Sequence, residues 1–481
     1  MTKKTLTERV TLRQALASFG LAAFFGFLAF YNLAEYPTTW FDEGVHLHVP
    51  ETLVRFGVYA DRSSDGFRYF GPTLGVGPTV LLPIAGVFRV FGIGLVQGRV
   101  VIALYLLVAL YLFYRLARRF EGRPVAILAM VLLIGSPAVS IIETGRQVLG
   151  EVPGLCFLLG GFLVWFSAWD GSWKRLTVAG LLFGAAAITK YQNLVVLAPT
   201  LAVTAAANLL YYRTARSRVF VWPGLVLVAV FGFWQAVLVM YLGPQTSAEN
   251  LAALREATAG AAAVFSPDAM RRAVKQLLSF NTYGGSLVLA TAYGLFRSSI
   301  RSRANQQWGI LWSFLVVNLA WYMFASIAWP RYAFAGLALG SLFVAAFFVD
   351  LITRLSAARQ ATSAVNAWTD VVGIRGLQTA VFTWVAMISL PAIASTVVPI
   401  VRPPHNAPAE MSAYLNREVP QSQVIETWEP ELGALTSHNY HYPPARLLNV
   451  AVQHIWLGGP SPRLQYHPLE DDQPPYVLIG S

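Results

Sequence analysis

Cysteine and charge are the two things this 481-residue chain has least of. Its single cysteine, Cys156, lies inside an apolar run, so no disulfide can close within one chain and cysteine usage is silent about compartment. Charged residues make up 12% of the chain against 56% hydrophobic, a ratio that no soluble protein of this length needs. Internal repeats and low-complexity tracts are also missing. The net charge of +11 raises the question of nucleic acid, but its distribution argues against it. The Lys and Arg residues form short clusters between apolar runs, the pattern that orients a protein in a membrane.

What is present is a succession of apolar runs, each able to cross a bilayer, for which about 18 or more residues suffice. The spacing predicts an all-α polytopic membrane protein with about eleven transmembrane helices, at 16–34, 99–116, 125–142, 152–169, 176–189, 193–211, 219–241, 284–298, 307–328, 332–352 and 378–398. The first run follows Lys3, Lys4, Arg9 and Arg13 without a small-residue cleavage site, and it reads as an uncleaved helix. With the N-terminus inside, the internal loops carry 19 of the 35 Lys/Arg but 5 of the 24 Asp/Glu, as the positive-inside rule expects. Two apolar segments are settled by the same charges. Residues 78–94 hold Pro78, Pro83 and Arg89, and letting them cross would invert every later loop; they read as a helix lying at the outer interface, or re-entrant. The run Leu176–Tyr211 has basic clusters at both ends, so it must cross twice, turning near Lys190.

Residues 1–399 thus form a transmembrane domain with a long external loop at 35–98, and 400–481 form an external C-terminal domain. That last stretch holds 12 of the 27 prolines, and Gln423–Trp428 and Tyr476–Gly480 read as short strands of a small α/β cap. The 242–283 connection is partly Ala-rich and reads as helical along the surface.

The first external loop is far longer than a connection requires, and loops of that length are functional or disordered. It is rich in aromatics, Gly and Pro, and it opens on Thr39-Trp40-Phe41-Asp42-Glu43-Gly44-Val45-His46 directly after the first span. Partial desolvation of Asp42 and Glu43 would raise a carboxylate pKa and make a better base. Arg146, Glu151 and Pro153 mark the second external loop, Lys190 the hairpin tip, and Trp329-Pro330-Arg331-Tyr332 the start of a late span. Each has a plainer reading beside this one. The paired acids suit a solvated loop or a helix start, and Arg146 with Glu151 an ion pair before a helix that opens on Pro153. Lys190 suits an interfacial anchor, and the Trp329–Tyr332 stretch an aromatic belt with a snorkelling Arg. Taken together, they gather two carboxylate sites and several cations on one side of the membrane. An acceptor nucleophile needs a base, and a departing phosphate needs Lys or Arg but no proton donor. His46 and His48 stand beside Glu43, but residues at i and i+2 do not share a helix face, so a metal is not expected and no cofactor is implied.

At this point the chain resembles the C-type membrane glycosyltransferases, nearest the protein O-mannosyltransferase and aminoarabinose lipid A transferase group. The resemblance rests on Trp40-Phe41-Asp42-Glu43, Gly57-Val58-Tyr59-Ala60, Phe70-Gly71-Pro72 and the interfacial helix. It rests further on Arg146/Glu151/Pro153, on Ala186 to Tyr191, and on Arg331-Tyr332, and it covers roughly residues 15–350. It implies an inverting transfer of a hexosyl or pentosyl unit from a polyprenyl-phosphate sugar to a protein, glycan or glycolipid acceptor, on the external face of the cell (inner) membrane. By this resemblance Asp42 is the catalytic base and Glu43 shapes the site or assists. Lys190, Arg331 and Arg146 hold the donor phosphate, and Glu151, Tyr191 and Tyr332 meet acceptor or sugar. The sequence departs from the pattern in carrying Glu rather than Asp at 151 and in lacking the proline that commonly follows Arg-Tyr. A transporter or lipid flippase, which would favour repeats and midplane charges, and a polysaccharide ligase or polymerase, which would favour a late external loop, are the alternatives.

Overall fold

The computed structural model describes residues 12–69, 75–256, 263–363, 368–459, 466–467, 469 and 473–479. Phe70-Gly71-Pro72 lie outside the described residues, as do Lys3, Lys4, Arg9 and Gly480. The chain is mostly helical. Helix α1 (Leu12–Phe30) leads into the first long loop, which folds as α2 (Phe41–Phe56), an antiparallel hairpin of β1 (Asp61–Ser63) and β2 (Gly66–Arg68), and α3 (Pro78–Phe91). Then come α4 (Leu95–Gly135), the short α5 (Ile141–Thr144), α6 (Glu151–Ser167), α7 (Trp173–Thr189), α8 (Gln192–Ala207) and α9 (Arg218–Leu242). Helices α10 (Pro244–Glu256) and α11 (Pro267–Leu277) precede α12 (Leu287–Ser298), α13 (Arg303–Phe324), α14 (Phe334–Ser363) and α15 (Trp368–Val401). The C-terminal part holds α16 (Ala407–Glu418), β3 (Val424–Thr427), α17 (Pro430–Leu435), β4 (Asn439–His441), α18 (Ala445–Leu457) and β5 (Tyr476–Leu478).

Among the described residues, five helical stretches are long and apolar enough to cross a membrane: Leu95–Gly135, Gln192–Tyr212, Arg218–Leu242, Pro330–Ala358 and Gly373–Val401. Shorter apolar helices run over Phe19–Phe30, Pro78–Phe91 and Glu151–Ser167. The expected spans at 99–116 and 125–142 fall on α4, where the backbone leaves helical geometry at Gly122 (φ 79°, ψ −169°), next to Pro124. That break lies inside the Arg115–Arg123 cluster. The expected division of 176–211 falls at Lys190, an extended residue between α7 and α8. Ser266, Ser302 and Asn406 each accept a hydrogen bond from the backbone N–H three residues on, which fixes where α11, α13 and α16 begin.

Bundle packing follows from small residues and aromatic wedges. On α7, a Cβ at Gly180 or Gly184 would stand 2.6 or 2.5 Å from Val226 or Val230 of α9, so bare glycine lets the two backbones close. Elsewhere α9 stays uncovered at Leu225, Val228, Phe233 and Met240, as a lipid-facing helix requires. Trp165, Phe162, Phe166 and Phe183 fill the interior between α6 and α7.

The C-terminal strands form one parallel sheet in the order β4-β3-β5. Two of them coincide with the expected strands, while β4 had no clear alternating pattern to announce it. The cap is fastened to the first loop. Ser64 donates its N–H to the carbonyl of Tyr440 at 2.7 Å, and α17 lies against α2 so closely that a Cβ at Gly44 would meet the backbone of Glu431 at 2.3 Å.

Candidate active site

Helix α2 starts immediately after Trp40, whose backbone is extended (φ −144°, ψ 173°). Asp42 and Glu43 occupy its first turn, where the exposed N–H groups favour negative charge. Successive helical residues point about 100° apart, and the two acids diverge accordingly.

Glu43 turns inward and is fully buried. Arg99 of α4 grips both its oxygens, Nε at 2.8 Å and Nη2 at 2.6 Å, and the N–H of Val148 donates to it at 3.0 Å. Arg99 also reaches the carbonyl of Leu33 at 2.9 Å. Arg146 is likewise fully buried, and it spends its donors on backbone: the carbonyls of Leu28 (2.7 Å), Tyr31 (2.7 Å) and Tyr36 (2.9 and 3.2 Å). It clasps the carbonyl end of α1, where a cation is favoured.

Asp42 turns the other way and pairs with Arg331, both side chains remaining about one-fifth exposed. The Arg331 guanidinium lies over Trp40 and Trp329, 5.4 and 4.7 Å from the ring centroids. Beside it, Lys190 donates to Glu151 and stands 6.0 Å from the ring of Tyr332. Glu151 keeps its second oxygen buried and without a hydrogen-bond partner. Tyr332 stacks on Trp321 at 5.5 Å, and Tyr191 lies within electrostatic reach of Arg331. Four chain segments, at 40–46, 151, 190–191 and 329–332, therefore converge on one cluster of two acids and two cations walled by aromatic rings.

The electrostatics reverse one expectation. Burial pushes the Asp42 carboxyl up, but Arg331, then His46 and Lys190, outweigh it and hold the group below the usual carboxylate value. Burial lowers Lys190, against the opposing pull of Glu151. His46, four residues after Asp42 and so on the same helix face, is also lowered by burial, and its Nδ1 donates to the carbonyl of Val148 at 2.7 Å. His48 instead pairs with Asp61 at 2.9 Å, so the two histidines serve different partners. No group of three His, Cys, Asp or Glu side chains close enough to hold a metal occurs among the described residues.

The structure thus brings together Asp42, Glu151, Lys190, Arg331, Tyr191 and Tyr332, and it does not bring Glu43 or Arg146 to them. Both of the latter are spent on burial partners that the sequence does not advertise. His46 was missed as a neighbour of Asp42, and Trp329 as a ring against Arg331. For His46 a signal was available in the i, i+4 spacing from Asp42.

Residues 76–238 match the family model described as dolichyl-phosphate-mannose-protein mannosyltransferase. No curated protein matches the chain in sequence. Among solved structures, the chain is similar to ArnT from Cupriavidus metallidurans bound to undecaprenyl phosphate, at 13% identity over 91% of this chain and 88% of that one, with a TM-score of 0.59. ArnT from the same organism in the apo state gives 13%, 92%, 88% and 0.62. The archaeal oligosaccharyltransferase AglB from Archaeoglobus fulgidus, in complex with an inhibitory peptide and a dolichol-phosphate, gives 12%, 90%, 65% and 0.53. The fold is the one these membrane enzymes share.

Proposed function

We propose that the chain is a multi-pass membrane glycosyltransferase of the C type, resembling the protein O-mannosyltransferase and aminoarabinose transferase group and dependent on a polyprenyl-phosphate-linked sugar, with the Asp42 cluster as its catalytic centre. The observation that carries this reading is the convergence of Asp42, Glu151, Lys190 and Arg331 from four separate segments.

In this reading Arg331 and Lys190 bind the donor phosphate, the first as a planar fork and the second as a point charge. Asp42 takes the proton from the acceptor hydroxyl as its oxygen attacks the anomeric carbon. The bond from that carbon to the phosphate oxygen breaks on the opposite face, so the configuration inverts. The phosphate leaves with one more negative charge, which the two cations offset. A phosphate that draws Arg331 away from Asp42 also removes the cation that lowers its basicity, so donor binding and base activation are coupled. Glu151, Tyr191 and Tyr332 contact sugar or acceptor. Glu43 and Arg146 act at one remove, fixing α2 and the end of α1.

The proposal includes the topology that places this chemistry: about eleven spans, an internal N-terminus, a 1–399 transmembrane domain, an external 35–98 loop and an external 400–481 cap. The site then faces outward from the cell (inner) membrane, and the acceptor is a protein, glycan or glycolipid reached from that side. Purified protein given a labelled polyprenyl-phosphate sugar tests the assignment, with Asp42→Asn beside wild type. Transfer is expected in wild type alone, and full activity in Asp42→Asn overturns the catalytic role.

A further inference from the structure

A cleft of about 440 Å3, counted out to the solvent, lies between α2, the β1–β2 hairpin and the cap, apart from the Asp42 cluster. Three of its lining side chains are more than nine-tenths buried yet keep a polar atom without a hydrogen-bond partner: His48 at Nε2, His438 at Nδ1 and Tyr442 at its hydroxyl. Buried polar groups are ordinarily satisfied, so three in one cleft point to a ligand.

The chemistry of that ligand follows from the partners of the two imidazoles. His48 Nδ1 donates to Asp61 at 2.9 Å, and a carboxylate held by Arg68 and the N–H of Arg62 can only accept. Nδ1 therefore carries a proton, and Nε2 is left without a partner. His438 Nε2 donates to the carbonyl of Val419 at 2.9 Å, and its Nδ1 is left without a partner as well. A hydroxyl both donates and accepts, so a polyhydroxylated molecule can satisfy all three atoms. Glu51 and Asn439 add polar groups to the lining, and Phe56 adds an aromatic ring.

We propose that this cleft is a saccharide subsite that takes one hydroxyl-bearing sugar unit of a glycan or glycolipid acceptor. The proposal rests on the glycosyl-transfer reading above. His48 follows Asp42 by six residues on the same helix, about 9 Å along its axis and about a third of a turn around it, so the subsite and the base lie on different faces of one helix. Gly433 keeps the subsite open. A Cβ there would stand 2.5 Å from the Tyr442 hydroxyl and 2.6 Å from His48 Nε2, covering both.

Calorimetric titration and saturation-transfer NMR test it, using the full chain in detergent and a panel of methyl glycosides and disaccharides. At least one sugar is expected to bind saturably to wild type and equally to Asp42→Asn. Tyr442→Phe, which removes one oxygen, should weaken that binding about tenfold, the loss of one hydrogen bond. Gly433→Ala should abolish it. Saturable binding by no member of the panel, wild-type affinity in Tyr442→Phe, or displacement of the sugar by sodium phosphate each overturns the subsite. Transfer without sugar binding in the cleft sinks this inference alone; cleft binding without any transfer keeps the saccharide site and sinks the glycosyl-transfer reading, with the acceptor role built on it.

Discussion

Asp42 and Glu43 are consecutive acids in one helical turn, and they live in different worlds. Glu43 is sealed, held by Arg99 and a backbone N–H, with both side chains fully buried. Asp42 keeps about one-fifth of its side chain exposed, held by one guanidinium that itself lies against two indole rings. The same contrast separates the arginines. Arg146 is saturated by carbonyls, whereas Arg331 keeps an exposed edge. An ion pair whose every donor and acceptor is satisfied holds structure, and exchanging its partner is costly. A pair with spare valence at the mouth of a bundle can trade its partner for a substrate.

Substitution should break this contrast along clear lines, the largest effect first. Asp42→Asn is expected to lower transfer by about 10^2 to 10^4-fold, the usual worth of a positioned base, while thermal melting in detergent stays near wild type. Glu43→Gln should do the reverse, costing about 3–5 kcal/mol of stability because Arg99 is left charged and buried without its counterion. A Glu43→Gln protein that melts normally but has lost transfer would mean that the two acids have been assigned the wrong way round. Arg146→Ala, which leaves three carbonyls at the end of α1 without their donor, should also act on melting rather than on donor affinity. Lys190→Ala should instead raise the KM for the polyprenyl-phosphate sugar about tenfold or more, with melting little changed; an unaltered KM would remove Lys190 from the phosphate site.

The pH profile sharpens the comparison further. Burial alone would raise Asp42, and Arg331 brings it below the ordinary value. Arg331→Ala should therefore move the acid limb of the kcat/KM profile to higher pH, in addition to slowing the reaction. A limb that stays in place would show that another group titrates.

The smallest effect is expected at the cap. Burial, with a hydrogen bond from Glu429, pushes Glu431 from 4.5 up to about 8. A folded-state pKa above the unfolded value means that the protonated carboxyl stabilises fully below about 4.5 and that this contribution is lost as pH rises to about 8. Melting temperature should fall across that window in wild type, and Glu431→Gln should flatten the fall.

Much of the architecture was written in the chain itself. Apolar run length marked the helices, the basic clusters marked where they are interrupted, and both Gly122 and Lys190 fall where charge required a break. Those features are local, because a helix satisfies its own backbone and an apolar run reports directly on its solvent. The gathering of Asp42, Glu151, Lys190 and Arg331 was foreshadowed by the expectation from loop charge that they share one side of the membrane. Their pairing was not, since the partners are up to 289 residues apart. Nor could residue types alone tell Asp42 from Glu43, or Arg331 from Arg146, because each pair is chemically alike and differs only in what surrounds it. The grip of the cap on the first loop, through Gly44, Glu431 and β4, was equally hidden, as β4 is three residues long and pairs in parallel with a distant strand. Sequence alone determined a helical membrane protein and pointed to acids and cations on one side of it. Tertiary structure decided which acid is free to react, because that freedom depends on burial and on unspent hydrogen-bonding capacity, and both are properties of the packed chain.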